Sequence, residues 1–225
     1  TNHLSDVTVV VYHSWEISRH RLAAFDPASA TLITSGEAPW AFMQWGATQR
    51  YHLENFRAAL DEPGEWFLDR DGTLSYLPLP GEDMTKAEVF APVVEQFILL
   101  QGEPEKGRFV EDVAFKGLAF RHGQYLLPPG GHGDAQAAFS IPAVFEADGA
   151  RRVTIEDCEF GHIGIYGVWF RRGCRDCRLV HSHLHDLGAG GVRIGEGRIA
   201  ANEAERTSHV VVDNNIIQGG GYIHM

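Results

Sequence analysis

The sequence predicts an all-β chain wound as a parallel β-helix, and two observations carry that prediction. One pattern of apolar positions returns four times, at offsets 0, 2, 5 and 7. It runs through Val113, Phe115, Leu118, Phe120; Val153, Ile155, Cys158, Phe160; Cys177, Leu179, Ser182, Leu184; and Val210, Val212, Asn215, Ile217. Two short strands around a one-step corner give this spacing, because alternate side chains of a strand share a face, and a helix does not. The second observation is a flanking strand that recurs every 24 residues, at 143–146, 167–170 and 191–194. Three short strands without a helix are what one coil of such a solenoid requires. A sandwich of short strands competes, but has no reason to keep both the offsets and the spacing. Coil spacings of 40, 24 and 33 residues then mean one coil length plus external loops.

Ahead of the coils, residues 1–87 read as a small β-rich unit, with the winding assigned to 88–225. Val7 to Tyr12 is a strand; a second near Arg21 to Phe25 meets the turn signal Asp26-Pro27 and returns through Thr31 to Thr34. Trp40, Phe42, Trp45, Tyr51 and Phe56 form an aromatic-rich joint, open to reading as a sugar platform or as a packed interface. Glu54 to Leu60 is expected to make a short helix ended by Glu62-Pro63-Gly64. Trp66 to Leu68 and Leu74 to Leu77 flank Asp69-Arg70-Asp71-Gly72, a strong hairpin signal. Glu88 to Leu100 is β-compatible and begins the winding. The return around Pro128 to Asp134 is the candidate lid or groove wall, and Glu196 to Thr207 is a second excursion. No capping helix follows Ile217, so the solenoid is expected to be truncated at its C-terminus and able to associate through an open end.

Composition narrows the function classes. The 225 residues are 44% apolar and 22% charged, enough for a sizeable core. Lys and Arg number 19 against 30 Asp and Glu, a formal charge of −11, which disfavours nucleic acid and anionic membrane as partners. No run of 18 apolar residues exists, and the start has neither a basic n-region nor an apolar h-region, so no signal peptide is read in this chain. Three cysteines do not make a disulfide scaffold, and Cys158 and Cys177 fall on inward positions as small hydrophobes.

Coil alignment brings distant polar residues together. His122, His162, Asp186 and Gly219 align, with Arg121, Gly161, His185 and Gln218 one place earlier, while Glu159 and His183 align on an outward strand position. A His–Asp stack beside a strand end is a geometry in which a neighbour orients a carboxylate. Asp186, Glu159, His162 and His185 are therefore the candidate catalytic residues. On the flanking strand Phe145, Trp169 and Arg193 align outward. Trp169 with Arg193 offers a flat face and a fork of donors suited to a sugar or uronate, unless a loop covers them. Tyr166 and Asp134 complete the candidate substrate contacts. The run Gly188-Ala189-Gly190-Gly191 serves either close ligand approach or the corner. Glycoside hydrolysis commonly needs two carboxyl groups; Asp186 supplies one, and Glu159, Asp134 or a residue outside this chain the other. His181, His183 and His185 do not make a metal row, because Leu184 faces inward and His181 lies beyond the corner. No metal and no cofactor are expected.

The residues also carry a family resemblance. Tyr51 to Asn55, Ala59 to Asp69, Gly72 to Tyr76, Phe115 to His122, Gly167 to Cys174 and His185 to Val192 resemble segments of bacterial right-handed parallel β-helix proteins, the pectin-lyase-like solenoids. Among characterised groups the chain is similar to glycoside hydrolase family 141, associated with α-L-fucosidase and xylanase activities on plant cell-wall polysaccharides. The resemblance implies a secreted or periplasmic parent protein that acts on polysaccharide or oligosaccharide, with Asp186 as its catalytic carboxylate. Two other functions stay open beside hydrolysis: a non-catalytic carbohydrate-binding or structural β-helix, and a polysaccharide lyase.

Overall fold

The structure is a computed structural model and describes residues 3–44, 46 and 48–225. Trp45, counted among the aromatic residues above, lies outside the described residues. The chain forms two compact units, Thr1–Phe90 with Leu127–Gln136, and Ala91–Leu126 with Ala137–Met225. The middle of the first long excursion thus belongs to the first unit.

In the first unit, β1 (Thr8–Tyr12), β2 (Ile17–Asp26), β3 (Thr31–Thr34) and β4 (Tyr51–Glu54) form an antiparallel sheet in the order β3-β2-β1-β4. Val7, Val9, Val11 and Leu22 make its apolar core, with Leu32, Leu53 and Phe56 packed against it. The β2–β3 turn is held by Asp26, whose carboxylate accepts from the Ala28 N–H at 3.0 Å and the Ser29 hydroxyl at 2.5 Å. Trp40 meets Trp15 edge-on and Phe42 stacks on His13, all of the same unit, and Tyr51 is exposed. The helix expected near Glu54 is only one 3-10 turn, Arg57–Ala59. The hairpin of β5 (Trp66–Leu68) and β6 (Leu74–Tyr76) forms around Gly72, whose φ of +86° is open to glycine at no steric cost.

The second unit contains β7 (Ile98–Gln101), β8 (Val110–Glu111), β9 (Ala114–Lys116), β10 (Ala119–Gly123), β11 (Ala143–Asp148), β12 (Ala150–Arg151), β13 (Thr154–Glu156), β14 (Glu159–Ile163), β15 (Tyr166–Phe170), β16 (Arg178–Val180), β17 (His183–Leu187), β18 (Val192–Ile194), β19 (Val211–Asp213) and β20 (Ile216–Ile217). Of the stretch expected to begin the winding, only β7 is strand. Three four-stranded parallel sheets result, β7-β11-β15-β18, β9-β13-β16-β19 and β10-β14-β17-β20, with the short pair β8-β12. Successive repeats add one strand to each. The registers Ala114↔Thr154, Thr154↔Arg178 and Arg178↔Val211 reproduce the spacings of 40, 24 and 33 residues.

The flanking sheet corrects the sequence reading by one residue. Phe145 pairs with Val168 and Ala147 with Phe170, 23 apart, although Arg151 and Arg175 stand 24 apart. The stretch from Phe170 to Arg175 thus holds one residue more than that from Ala147 to Arg151. Phe145 consequently points inward and is fully buried, and Glu146 takes its place in the row with Trp169 and Arg193.

Inward positions build the core. The quartet of Val153, Ile155, Cys158 and Phe160 is buried, as is that of Cys177, Leu179, Ser182 and Leu184. Phe160 lies on Phe120 at 4.8 Å between centroids and meets Phe145 edge-on at 6.5 Å. In the outer quartets Leu118, Val212 and Ile217 are exposed. All three cysteines are free and buried; Cys174 and Cys177 direct their thiols to the Ala147 and Ala150 carbonyls.

Three corners per repeat bend the chain from sheet to sheet. Each is a single residue in the left-handed region, and they follow one another at intervals of five: Asp112, Gly117, His122; Arg152, Asp157, His162; Asp176, His181, Asp186; and His209, Asn214, Gly219. All but Arg152 are types that tolerate positive φ best. At the middle corner the next repeat supplies the missing acceptor. Ser182 Oγ accepts from the Cys158 N–H at 3.1 Å, and Asn215 Oδ1 accepts from the Ser182 N–H at 2.8 Å. Among the described residues no helix is long and apolar enough to cross a membrane.

Candidate functional site

Sheet β10-β14-β17-β20 turns one face outward. Along it, inward Phe160, Leu184 and Ile217 alternate with outward side chains, so Glu159 pairs with His183 and Gly161 with His185. Arg121 stands beside Gly161 in the same row. The corner residues His162 and Asp186 close the row at its end, in the same register.

Two polar groups share this face. In the first, His162 Nδ1 lies 2.6 Å from Asp186 Oδ2, both side chains about half exposed. With Asp186 ionised the carboxylate can only accept, so Nδ1 carries the hydrogen and Nε2 is left as an acceptor. His122 stacks on the His162 ring at 5.1 Å and 7°. In the second, Glu159 is clamped. Arg121 donates to it through Nε at 2.8 Å and again through Nη2, and His185 Nε2 lies 3.0 Å away on the other side. These hydrogen bonds, Arg121's above all, hold the Glu159 carboxyl at about 2, against the small opposing effect of burial. A carboxyl that titrates there has no proton to give in mild acid. The His162 and His185 rings meet edge to face at 5.5 Å, which joins the two groups. His183 stacks on His185 at 4.3 Å and faces Gln218 at 3.1 Å.

Gly161 makes the clamp feasible. A Cβ there would fall 2.7 Å from the His185 ring, which lies across the glycine to reach Glu159. Arg121, the strongest partner of Glu159, was not among the sequence candidates. Its place in a row with a glycine at an outward strand position was the available signal.

The other sequence candidates lie elsewhere. Trp169 is only 6% exposed, with the Arg193 guanidinium 3.4 Å and the Arg171 guanidinium 4.4 Å from its ring centroids. Its indole N–H donates to the Gly195 carbonyl at 2.8 Å, and Arg193 donates to the Ile141 carbonyl at 2.6 Å. Trp169 and Arg193 therefore stand as a covered ladder, the second of the two arrangements their alignment allowed. Tyr166 lies under Arg193 at 5.1 Å and against Gly190, where a Cβ would come 2.5 Å from its ring. A Cβ on Gly188 would overlap the Gly164 carbonyl oxygen and one on Gly191 would come 2.5 Å from the Ile217 side chain, so the glycine run serves packing between repeats. Asp134 is buried in the first unit, 3.6 Å from His132. Among the described residues no three His, Cys, Asp or Glu side chains converge as a metal site.

A solved structure titled "Glycoside hydrolase" superposes on this chain with a TM-score of 0.83 at 20% identity, over 98% of this chain and 46% of the other. The two share a fold. This chain spans less than half the length of that protein. No protein-family model matches the chain, and no curated protein matches it in sequence.

Proposed function

We propose that the second unit is a right-handed parallel β-helix of the pectin-lyase-like kind and that its β10-β14-β17-β20 face hydrolyses glycosidic bonds in a plant or bacterial polysaccharide, as in glycoside hydrolase family 141. The supporting observation is the 2.6 Å contact between His162 and Asp186 on an exposed strand end, beside a second carboxylate held ionised. A carboxylate held ionised suits one of the two carboxyl roles such hydrolysis needs. With one proton more than when Asp186 is ionised and His162 neutral, the His162–Asp186 pair acts as the acid, passing a proton through Asp186 to the leaving oxygen. Glu159, fixed as an anion by Arg121 and His185, stabilises positive charge at the sugar carbon while water attacks it and releases its proton to solvent. An open sheet face suits a polymer rather than a small enclosed ligand, and the parent protein acts outside the cytoplasm.

A second reading rests on the same contact. Asp186 leaves His162 Nε2 as an acceptor, which suits proton abstraction in a polysaccharide lyase. The test is product release from fucosylated pectin and xylan by the chain and by Asp186→Asn and His162→Gln. Hydrolysis yields new reducing ends without unsaturated-sugar absorbance, and both variants lose it at unchanged folding. Unsaturated product selects the lyase; binding without either product selects a carbohydrate-binding module.

A further inference from the structure

The first unit holds a second cluster of titratable groups that the glycan site does not use. Glu16, Ser18 and His20 alternate along the start of β2 and are all buried, at 3%, 0% and 1% exposure. Both Glu16 oxygens and both His20 nitrogens lack a hydrogen-bond partner. Buried polar atoms in that state carry a desolvation cost, so the cluster is poised to change.

Its cover is the strap Leu127–Gln136. The Arg19 N–H donates to the His132 carbonyl at 2.7 Å and the His132 N–H to the Arg19 carbonyl at 2.8 Å. Ser35 Oγ donates to the Pro129 carbonyl at 2.8 Å, and the Trp15 indole N–H to that of Ala135 at 3.3 Å. The strap lies flush: a Cβ on Gly131 would come 2.6 Å from His20 Nδ1, and one on Gly133 2.7 Å from the Ser18 side chain. It also brings Asp134, itself buried, toward the carboxyl it covers.

We propose that Glu16 and Asp134 form a proton-operated latch, which seats the strap on β2 while Glu16 is protonated and loosens it when that proton leaves. Burial first, and the Asp134 charge second, raise the Glu16 carboxyl to about 7. His13 faces it from the β1–β2 turn, with Nε2 3.5 Å from the carboxylate and 2.7 Å from Ser18 Oγ. His20 stands on β2, and His132 and Asp134 on the strap. Phe42 packs on His13 and His20, and Gln49 faces His13 Nδ1 at 3.0 Å.

A carboxyl raised in the seated state favours that state fully below its ordinary 4.5 and progressively less up to about 7, where the loss levels off. Burial lowers His13 and His20, which oppose this by favouring the seated state as pH rises toward 6.5. A Glu16→Gln comparison separates the two effects.

The experiment is hydrogen exchange of the Arg19 and His132 amides, corrected for intrinsic rates. The ratio of protection in Glu16→Gln to that in the unaltered chain is expected to rise at least about tenfold from about pH 5 to 7. Asp134→Asn, which removes the repelling charge, is expected to end the loss of protection at lower pH. A ratio flat with pH, or a midpoint unmoved by Asp134→Asn, overturns the latch. Added Zn²⁺ that restores protection at pH 7.5 in the unaltered chain but not in Glu16→Gln also overturns it, since a cation would then be the occupant.

Discussion

Glu159 shows how much a single charged neighbour decides. Its carboxylate sits on an open sheet face, yet Arg121 and His185 keep it ionised to about pH 2. Because the folded value is depressed, the clamp's contribution is complete above the ordinary 4.5 and is lost as pH falls through about 2. Arg121→Ala is expected to return the Glu159 midpoint toward 4.5, read by carboxyl-carbon NMR titration, and to weaken the hydrolysis proposed above while leaving the His162–Asp186 contact in place. Gly161→Ala is expected to displace the His185 ring and raise the same midpoint by a smaller amount. Asp186 and His162 were legible as neighbours because coil spacing alone aligns them. Their residue types say less, since corners at positive φ favour Asp and His for backbone reasons, with or without chemistry. For Trp169 the sequence left two readings open, because a strand position facing outward says nothing of what covers it; Arg193 from the next repeat and Arg171 two residues along lie over its ring.

At the scale of the element, the middle corner is where polarity and packing meet. In two successive repeats the corner N–H, of Cys158 and of Ser182, faces inward, and the following repeat answers it with Ser182 and Asn215. Ser182→Ala is expected to cost about 1–3 kcal/mol, the penalty of a buried donor left without an acceptor. Asn215→Leu also strands the Leu179 carbonyl, which accepts from Asn215 Nδ2 at 2.9 Å, and should cost at least as much. Denaturant unfolding of both variants checks the pair. The sequence showed Ser182 and Asn215 only as breaks in an apolar pattern, because the demand they meet comes from backbone 24 and 33 residues away. The flanking strand slipped by one place for a related reason. Its apolar residues run consecutively, so no alternation pinned the register, and an extra residue in the stretch from Phe170 to Arg175 left no mark on the pattern.

Across the whole molecule, the second unit depends on neighbour-to-neighbour stacking. Phe160 touches Phe120 in the repeat before it and Phe145 across the core, so Phe160→Ala removes the link between repeats as well as buried area. A loss of about 3–5 kcal/mol is expected. In a solenoid-like stack it should fall on the adjoining repeats, with exchange protection lost in β10, β14 and β17 and retained in β1 and β2. The parallel sheets and the offsets of 40, 24 and 33 were readable because the inward residues recur at fixed steps. Assignment of Leu127–Gln136 to the first unit was not, since a Pro- and Gly-rich loop carries no periodic mark of what it packs against.

The five-residue cadence of the corners divides the chain into stretches that count and stretches that do not. Between Asp112 and His122, or Asp176 and Asp186, one inserted residue would turn every following side chain inside out, so length there is fixed. Between the third corner of one repeat and the first corner of the next, the chain already takes 30, 14 or 23 residues to close the circuit, from His122 to Arg152, His162 to Asp176 and Asp186 to His209. New recognition surfaces can therefore be grafted into those three arcs, outside the paired strands β11, β12, β15 and β18 that they contain, without changing the spacing of the corners that carry His162 and Asp186.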